Sequence, residues 1–169
     1  MNFTTVSQMF DHVTSQFLSK ELYYYKKGND WIGLSGSEIR STVKDLAFGL
    51  QSLGIGKGSN VSLLSNNSPR WAMSDYGIIC SGAATVSVYP TLISSQVEYI
   101  LNNSESKVVF AENQEQMQKI MESWVNCPNL QYAVVMDDSN TDSDERIFNF
   151  MDFINTANID VETIHSLKG

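Results

Sequence analysis

Short apolar segments alternate regularly with amphipathic segments between residues 35 and 136, and few folds accommodate that order. The predicted strands are residues 61–65, 84–88, 107–111 and 132–136. Helical periodicity fills the stretches between them, and strands that alternate with helices of this length predict βαβ units joined by right-handed crossovers. Because the strands are almost continuously apolar, both faces of the sheet should be covered. We therefore predict an α/β fold with a doubly wound, mainly parallel sheet flanked by helices.

Capping signals predict where the helices begin. Ser35 and Glu38 have capping-box spacing ahead of an amphipathic segment, and Gly54 stands where that helix should end. Ser68 followed by Pro69 fits an N-cap and a first helical residue. The two remaining predicted starts are Ser95 with Glu98, and Asn113 with Gln116.

The chain divides into three parts on this interpretation. Residues 1–34 form a helix and a β-hairpin, with a turn at residues 27–30. The alternating α/β segment follows over residues 35–136. Residues 137–169 form an acidic loop, a helix over residues 146–158 and a short tail. For the aromatic run at residues 23–25, a packed hairpin is favoured over a platform for stacking bases.

Composition excludes several function classes. A net charge of −8 with scattered Lys and Arg argues against nucleic acid as the main partner. The two cysteines form no C-x-x-C pair, which indicates a reducing, cytoplasmic compartment and no zinc site. We expect no secretory signal and no transmembrane helix, because the N-terminus lacks an apolar region and no apolar run reaches 18 residues.

Three short motifs resemble functional sites but lack essential parts. "GIGKGS" at residues 54–59 lies between a helix and a strand, the reverse of a dinucleotide fingerprint, so we interpret it as a plain connection. Side chains that could bind calcium through oxygen stand at alternate positions of the acidic loop, as in the first half of a calcium-binding loop. However, Ser143 stands where that loop requires glycine, and Asn149 stands where it requires the bidentate glutamate. No G-x-S-x-G elbow marks a nucleophile. We expect no catalytic residue and no metal ligand in this chain.

Ligands of doubly wound sheets bind beyond the carboxyl ends of the strands. Two predicted loops occupy that position: residues 65–68 after the first strand, and Tyr89, Pro90 and Thr91 after the second. Pro90 lacks an N–H group, so the strand before it must end there. Trp71, Met73, Tyr76 and Ile79 on the intervening helix could line a pocket, although such a set more often packs in the core.

Several motifs in this order resemble the N-terminal part of the adenylate-forming acyl-CoA synthetases, the AMP-dependent synthetase and ligase superfamily. They are "LQSLG", the G-x-x-V strand start "GSNV", "NNSPRW", "VYPT", "VEYILNNS" and "KVVF". The resemblance covers residues 34–113 strongly. The motifs "NNSPRW" and "VYPT" resemble those of the long-chain fatty-acid–CoA ligase branch.

The resemblance implies a two-step ligase of lipid metabolism that uses ATP, Mg²⁺ and coenzyme A. A fatty-acid carboxylate attacks the α-phosphate of ATP to give an acyl-adenylate and pyrophosphate, and coenzyme A then displaces AMP to give a thioester. It also implies that Tyr89, Pro90 and Thr91 lie near the substrate. A cytoplasmic enzyme with peripheral membrane association would suit a fatty-acid substrate.

The sequence departs from the family pattern downstream. The Ser/Thr/Gly-rich phosphate loop ending in Pro-Lys-Gly, the adenine-binding aromatic segment, the ribose-binding Asp and the C-terminal catalytic Lys do not occur in these 169 residues. We therefore expect an N-terminal fragment, natural or engineered, that is inactive alone and needs the rest of the ligase chain. Because a part of a larger sheet leaves apolar surface uncovered, we expect this fragment either to self-associate or to be marginally stable. The alternatives are a stand-alone α/β binding or interaction module without catalysis and, third, a flavodoxin-like nucleotide binder.

Overall fold

The computed structural model describes residues 2–156, which contain six helices and seven strands. In chain order the elements are α1 Val6–Gln16, β1 Glu21–Lys27, β2 Asp30–Ser35, α2 Gly36–Ser52, β3 Asn60–Leu64, α3 Pro69–Ser81, β4 Ala84–Val88, α4 Ser94–Asn103, β5 Ser106–Ala111, α5 Gln114–Ser123, β6 Tyr132–Val135, β7 Ile147–Asn149 and α6 Phe150–Thr156. A 3₁₀ turn, Trp124–Asn126, follows α5. None of the helices in this range combines the length and the apolar character that crossing a bilayer requires.

The five-stranded sheet has the order β4-β3-β5-β6-β7, and all its neighbouring strands run parallel. From β3 the chain first adds β4 on one side and then crosses back to add β5 on the other. This change of direction makes β3 the point at which the winding reverses. The predicted doubly wound, mainly parallel fold is therefore confirmed, and β1 pairs with β2 as the predicted hairpin.

Alternate side chains of the central strands build two separate apolar cores, one on each face of the sheet. On β5, Phe110 packs with residues of α2, α3 and α6, while Val109 packs with residues of α4 and α5. The fully buried Leu46 of α2 lies against α3 at Gly77, where an added Cβ would come within 2.6 Å of the Leu46 Cβ. Because helices cover both faces of the sheet, a ligand is expected to bind at the carboxyl ends of its strands.

Three of the four predicted helix starts are confirmed by their hydrogen bonds. The backbone N–H of Ser35 donates to Glu38 Oε2 (2.8 Å), and the N–H of Glu38 donates to Ser35 Oγ (3.3 Å), which completes the capping box. Ser68 Oγ accepts from the N–H of Trp71 at 3.0 Å. Asn113 Oδ1 accepts from the N–H of Gln116 at 3.1 Å. Local sequence therefore determines these helix boundaries.

The predicted capping box of Ser95 and Glu98 is wrong. Helix α4 begins at Ser94, and the N–H of Ile93 donates to Gln96 Oε1 at 3.3 Å. Glu98 instead accepts a hydrogen bond from Asn126 Nδ2 (3.0 Å), in the 3₁₀ turn that follows α5. The Glu98 side chain, which the local sequence pattern assigned to the cap of α4, therefore contributes to the packing of α4 against the segment that follows α5.

The helix predicted over residues 146–158 is also wrong at its start. Residues 147–149 form β7, which extends the sheet beside β6, and within the described residues the helix is α6, which begins at Phe150. The N–H of Asn140 donates to Asn149 Oδ1 (2.9 Å), and Asn149 Nδ2 donates to the Asn140 carbonyl (3.2 Å). These bonds fix the acidic loop beside the new strand. The predicted tail lies outside the described residues.

Tyr23 packs the hairpin against the core, and its ionisation should make the folded state less stable at alkaline pH. Burial raises its pKa to about 12, with smaller effects from Tyr76 and Asp75. Because the folded-state pKa lies above that of the unfolded chain, its contribution is complete below about pH 10 and is lost as the pH rises to about 12. We expect Tyr23→Phe to remove this part of the decline, measured by urea unfolding at a series of pH values; an unchanged pH slope would contradict it.

Candidate functional site

A crevice opens at the carboxyl ends of β3 and β4, where the winding of the sheet reverses. It has a volume of about 390 Å³. The loop after β3 contributes Ser65, Asn66 and Asn67, and the end of β4 with its following turn contributes Ser87, Val88, Tyr89 and Pro90, with Trp71 of α3 completing the wall. We call this cavity the β3–β4 crevice. Its position is the one that physical reasoning assigns to ligands of doubly wound sheets.

The structure brings together the two loops that the sequence singled out. Tyr89 and Pro90 line the crevice, and Thr91 follows them in an exposed turn closed by the N–H of Leu92, which donates to the Tyr89 carbonyl at 3.2 Å. The Tyr89 side chain is 78% exposed, so its phenol is available to a ligand or to a further protein surface.

Lys119 of α5 anchors the turn that follows β4. Its Nζ donates to the carbonyl oxygen of Pro90 at 2.6 Å. Pro90 has no N–H of its own, so this carbonyl is the polar backbone group through which the corner can be anchored. The contact joins β4's turn to a helix on the face of the sheet opposite α3.

Glu112 holds the first loop in the same way. Its Oε2 accepts from both the backbone N–H and the Nδ2 of Asn66, each at 2.9 Å, and its own N–H donates to the Leu64 carbonyl at 3.0 Å. Ser65 Oγ donates to the Asn66 carbonyl at 2.7 Å. A carboxylate that accepts two N–H bonds from one residue fixes that residue's orientation. The rim of the crevice is therefore shaped before any ligand arrives.

Sequence reasoning missed both Glu112 and Lys119. Glu112 directly follows β5, so the rule that selected the other two loops would also have selected this position. Lys119 carried no comparable signal, because its role depends on α5 packing beside the β4 turn. Of the four helix residues considered as pocket-lining, Trp71 does line the crevice, whereas Met73 is buried in the core. Tyr76 packs on Phe10 with 4.5 Å between ring centroids, and Ile79 is half-buried and does not line the crevice.

Among the residues that the structure describes, the lining of the crevice contains no Asp, Glu, His, Lys or Arg side chain. Its lining side chains are hydroxyls, amides, aromatic rings and aliphatic groups, all uncharged near neutral pH. Such walls can hydrogen-bond and stack against an uncharged part of a ligand. Within residues 2–156, no group of three or more His, Cys, Asp or Glu side chains is arranged to hold a metal ion.

Comparisons with known proteins agree on one family. The family model described as "AMP-binding enzyme" matches residues 10–157. A long-chain-fatty-acid–CoA ligase from rat, ACSBG1, is 26% identical over 131 residues, which are 78% of this chain and 18% of the rat protein. A long-chain-fatty-acid–CoA ligase from Mycobacterium bovis, FadD15, is 30% identical over 117 residues, which are 69% of this chain and 20% of that protein.

A solved structure supports the fold independently. The anthranilate CoA ligase AuaEII, crystallised with anthranoyl-AMP, superimposes with a TM-score of 0.76 at 23% identity and covers 89% of this chain and 27% of that chain. At this identity the likeness concerns the fold. The chain spans about a fifth of the length of the curated relatives described above.

Proposed function

The chain belongs to the AMP-binding enzyme family, and we propose that it forms the N-terminal part of an ATP-dependent fatty-acid–CoA ligase. The observation that carries the proposal is the family match over residues 10–157, which spans the whole five-stranded sheet. In the proposed reaction a carboxylate oxygen attacks the α-phosphorus of ATP and pyrophosphate leaves. The thiol of coenzyme A then attacks the acyl carbon, and AMP leaves as the thioester forms.

This chain would contribute a wall of the binding site and none of the reacting groups. Tyr89, Pro90 and Thr91 are the residues that we assign to the substrate's vicinity, because they follow β4 at the carboxyl edge of the sheet. The family chemistry uses Mg²⁺ to neutralise phosphate charge. The uncharged crevice and the lack of a metal-holding cluster in residues 2–156 do not fit such an ion, so we assign Mg²⁺ to no residue here.

The proposed partners follow from the same assignment. They are the rest of the ligase chain, a fatty acid, ATP and coenzyme A. A reducing, cytoplasmic setting is supported by Cys80 and Cys127, both free thiols. We propose peripheral membrane association for the complete enzyme, because long-chain fatty acids partition into bilayers.

The test is to express the complete reading frame that contains this chain and to measure AMP formation. We expect AMP to form only when oleate, ATP, Mg²⁺ and coenzyme A are all present, and acetate to be a poor substitute. The 169-residue chain alone should show no oleate-dependent ATP–pyrophosphate exchange. Oleate-dependent exchange by this chain would refute its assignment as a non-catalytic part, and a complete protein without ligase activity would refute the function.

We further propose that the 169-residue chain self-associates. Apolar side chains recur along one flank of α1 at Val6, Met9 and Val13, and Phe17 follows at the C-terminal cap of that helix. These four residues are each 38–46% exposed, and Trp31 of the hairpin is 68% exposed. Apolar surface of this kind is usually covered in a folded assembly. Light scattering should give a mass that rises with concentration, and Val13→Lys should lower it. A single monomer mass at all concentrations would count against self-association.

A further inference from the structure

A second groove lies between α1, α2 and α3, away from the carboxyl edge of the sheet. Its volume is about 350 Å³. Phe10, Val43 and Ala47 are buried and supply an apolar floor, and Phe48 stands at the rim with 51% of its surface exposed. We call this cavity the α1–α2 groove. It shares no lining residue with the β3–β4 crevice.

The groove follows one side of α2 for most of that helix. Its α2 residues recur at helical spacing and are Arg40, Val43, Lys44, Ala47, Phe48 and Gln51. At 1.5 Å per residue, the span from the first to the last is about 16 Å. A volume above about 300 Å³ is in the range of small-molecule sites. The shape therefore suits a narrow, elongated ligand better than a compact one.

The charged side chains at the rim of the groove indicate which sign of charge a ligand should have. Arg40 is neutralised by Asp11, because Arg40 Nη2 lies 2.5 Å from Asp11 Oδ1 and Nη1 donates to the Asp11 carbonyl at 3.0 Å. Lys44 takes part in none of the three ion pairs found in residues 2–156. Its ammonium lies 5.7 Å from the centroid of the Phe48 ring. The rim thus has one uncompensated positive charge beside an apolar floor, on a chain whose net charge is −8.

We propose that the α1–α2 groove binds an amphipathic monoanion, namely a carboxylate that carries an unbranched aliphatic chain. The carboxylate meets Lys44 at the rim. The aliphatic chain lies along α2 over Val43 and Ala47 and covers the exposed face of Phe48. One free cation matches one negative charge, and burying the aliphatic chain supplies the affinity that an exposed ion pair lacks. This site is separate from the proposed ligase chemistry and does not depend on it.

Cys80 provides a reporter inside the groove. Its thiol lines the cavity and is partly exposed, whereas Cys127 is 3% exposed and lies elsewhere, in the core of the opposite face. Burial raises the pKa of the Cys80 thiol, so alkylation by N-ethylmaleimide is best followed at mildly alkaline pH. Mass spectrometry of the modified peptide measures its rate.

The experiment compares that rate with and without dodecanoate, kept below its micellar concentration. We expect about tenfold slower alkylation of Cys80 at ten times the dissociation constant, because only the free form reacts. Dodecyltrimethylammonium has the same tail with the opposite charge, and acetate has the charge without the tail; neither should protect. Equal protection by either compound, or no protection by dodecanoate, would overturn the proposal.

Matched variants test the role of Lys44. Lys44→Glu reverses the charge at an exposed helical position and should weaken dodecanoate binding about tenfold. Lys27→Glu makes the same change on the exposed end of the hairpin, outside the groove, and should leave binding unchanged. Circular dichroism confirms that each variant is folded. Equal weakening in both variants would show a general charge effect and would refute the site.

Discussion

Replacing Phe110 with alanine is expected to lower the free energy of unfolding by about 3–5 kcal/mol, the largest effect we predict for a single substitution in this chain. Phe110 lies on β5 in the middle of the sheet and has no exposed surface. Its ring meets that of Phe153 edge to face, with 5.8 Å between centroids and planes at 90°. Alanine would remove this contact and leave a cavity between the sheet and α6.

Urea unfolding followed by circular dichroism measures this loss. Tyr99→Ala is the control, because its aromatic side chain is 69% exposed and its removal should change stability by less than about 0.5 kcal/mol. Since typical domains are stable by about 5–15 kcal/mol, Phe110→Ala removes a large share of the total. A loss below about 1 kcal/mol would mean that the helix and sheet close around the missing ring, or that the two are not packed as described.

The sequence predicted the fold well because its signals are local and repeated. Ser35, Ser68 and Asn113 each cap a helix through bonds to residues three positions on, so a short window contains the whole interaction. A buried strand of a parallel sheet can be predicted from its own nearly continuous apolar run, without knowing which strand it pairs with. β7 was missed because its three residues form a strand only by pairing with β6, and that pairing is tertiary.

The candidate site was predicted in place but not in detail. Topology alone directs residues after β3 and β4 to one edge of the sheet, and Tyr89 and Pro90 do lie there. The bonds of Glu112 to Asn66 and of Lys119 to the Pro90 carbonyl span 46 and 29 positions in sequence. The Glu112 contact arises because β5 pairs with β3 in the sheet, so the strand-end rule identifies its position but not its partner. The Lys119 contact depends on how α5 packs beside the β4 turn, which no single-sequence pattern encodes.

Arg70→Met should cost about 2 kcal/mol of stability, because one guanidinium ties together three elements near the crevice. Arg70, in the first turn of α3, pairs with Asp138 Oδ2 at 2.6 Å and donates to the Met136 carbonyl. It also lies 4.8 Å from the centroid of the Phe150 ring. Because its side chain and that of Asp138 are 35% and 27% exposed, the loss should stay below the 3–5 kcal/mol of a fully buried pair.

Arg146→Met is a closely matched control for this effect. Arg146 also pairs with an aspartate, Asp144, at 2.6 Å, and also lies over an aromatic ring, that of Trp124. The two arginines differ in three respects: Arg70 also donates to the Met136 carbonyl, its side chain is 35% exposed against 53% for Arg146, and its partner Asp138 accepts from the N–H of Met151 at 2.8 Å and so anchors α6. Arg146→Met should therefore cost less than about 1 kcal/mol. Equal losses in the two variants would show that the bond to the Met136 carbonyl, the lower exposure and the anchored partner add nothing to the ion pair of Arg70.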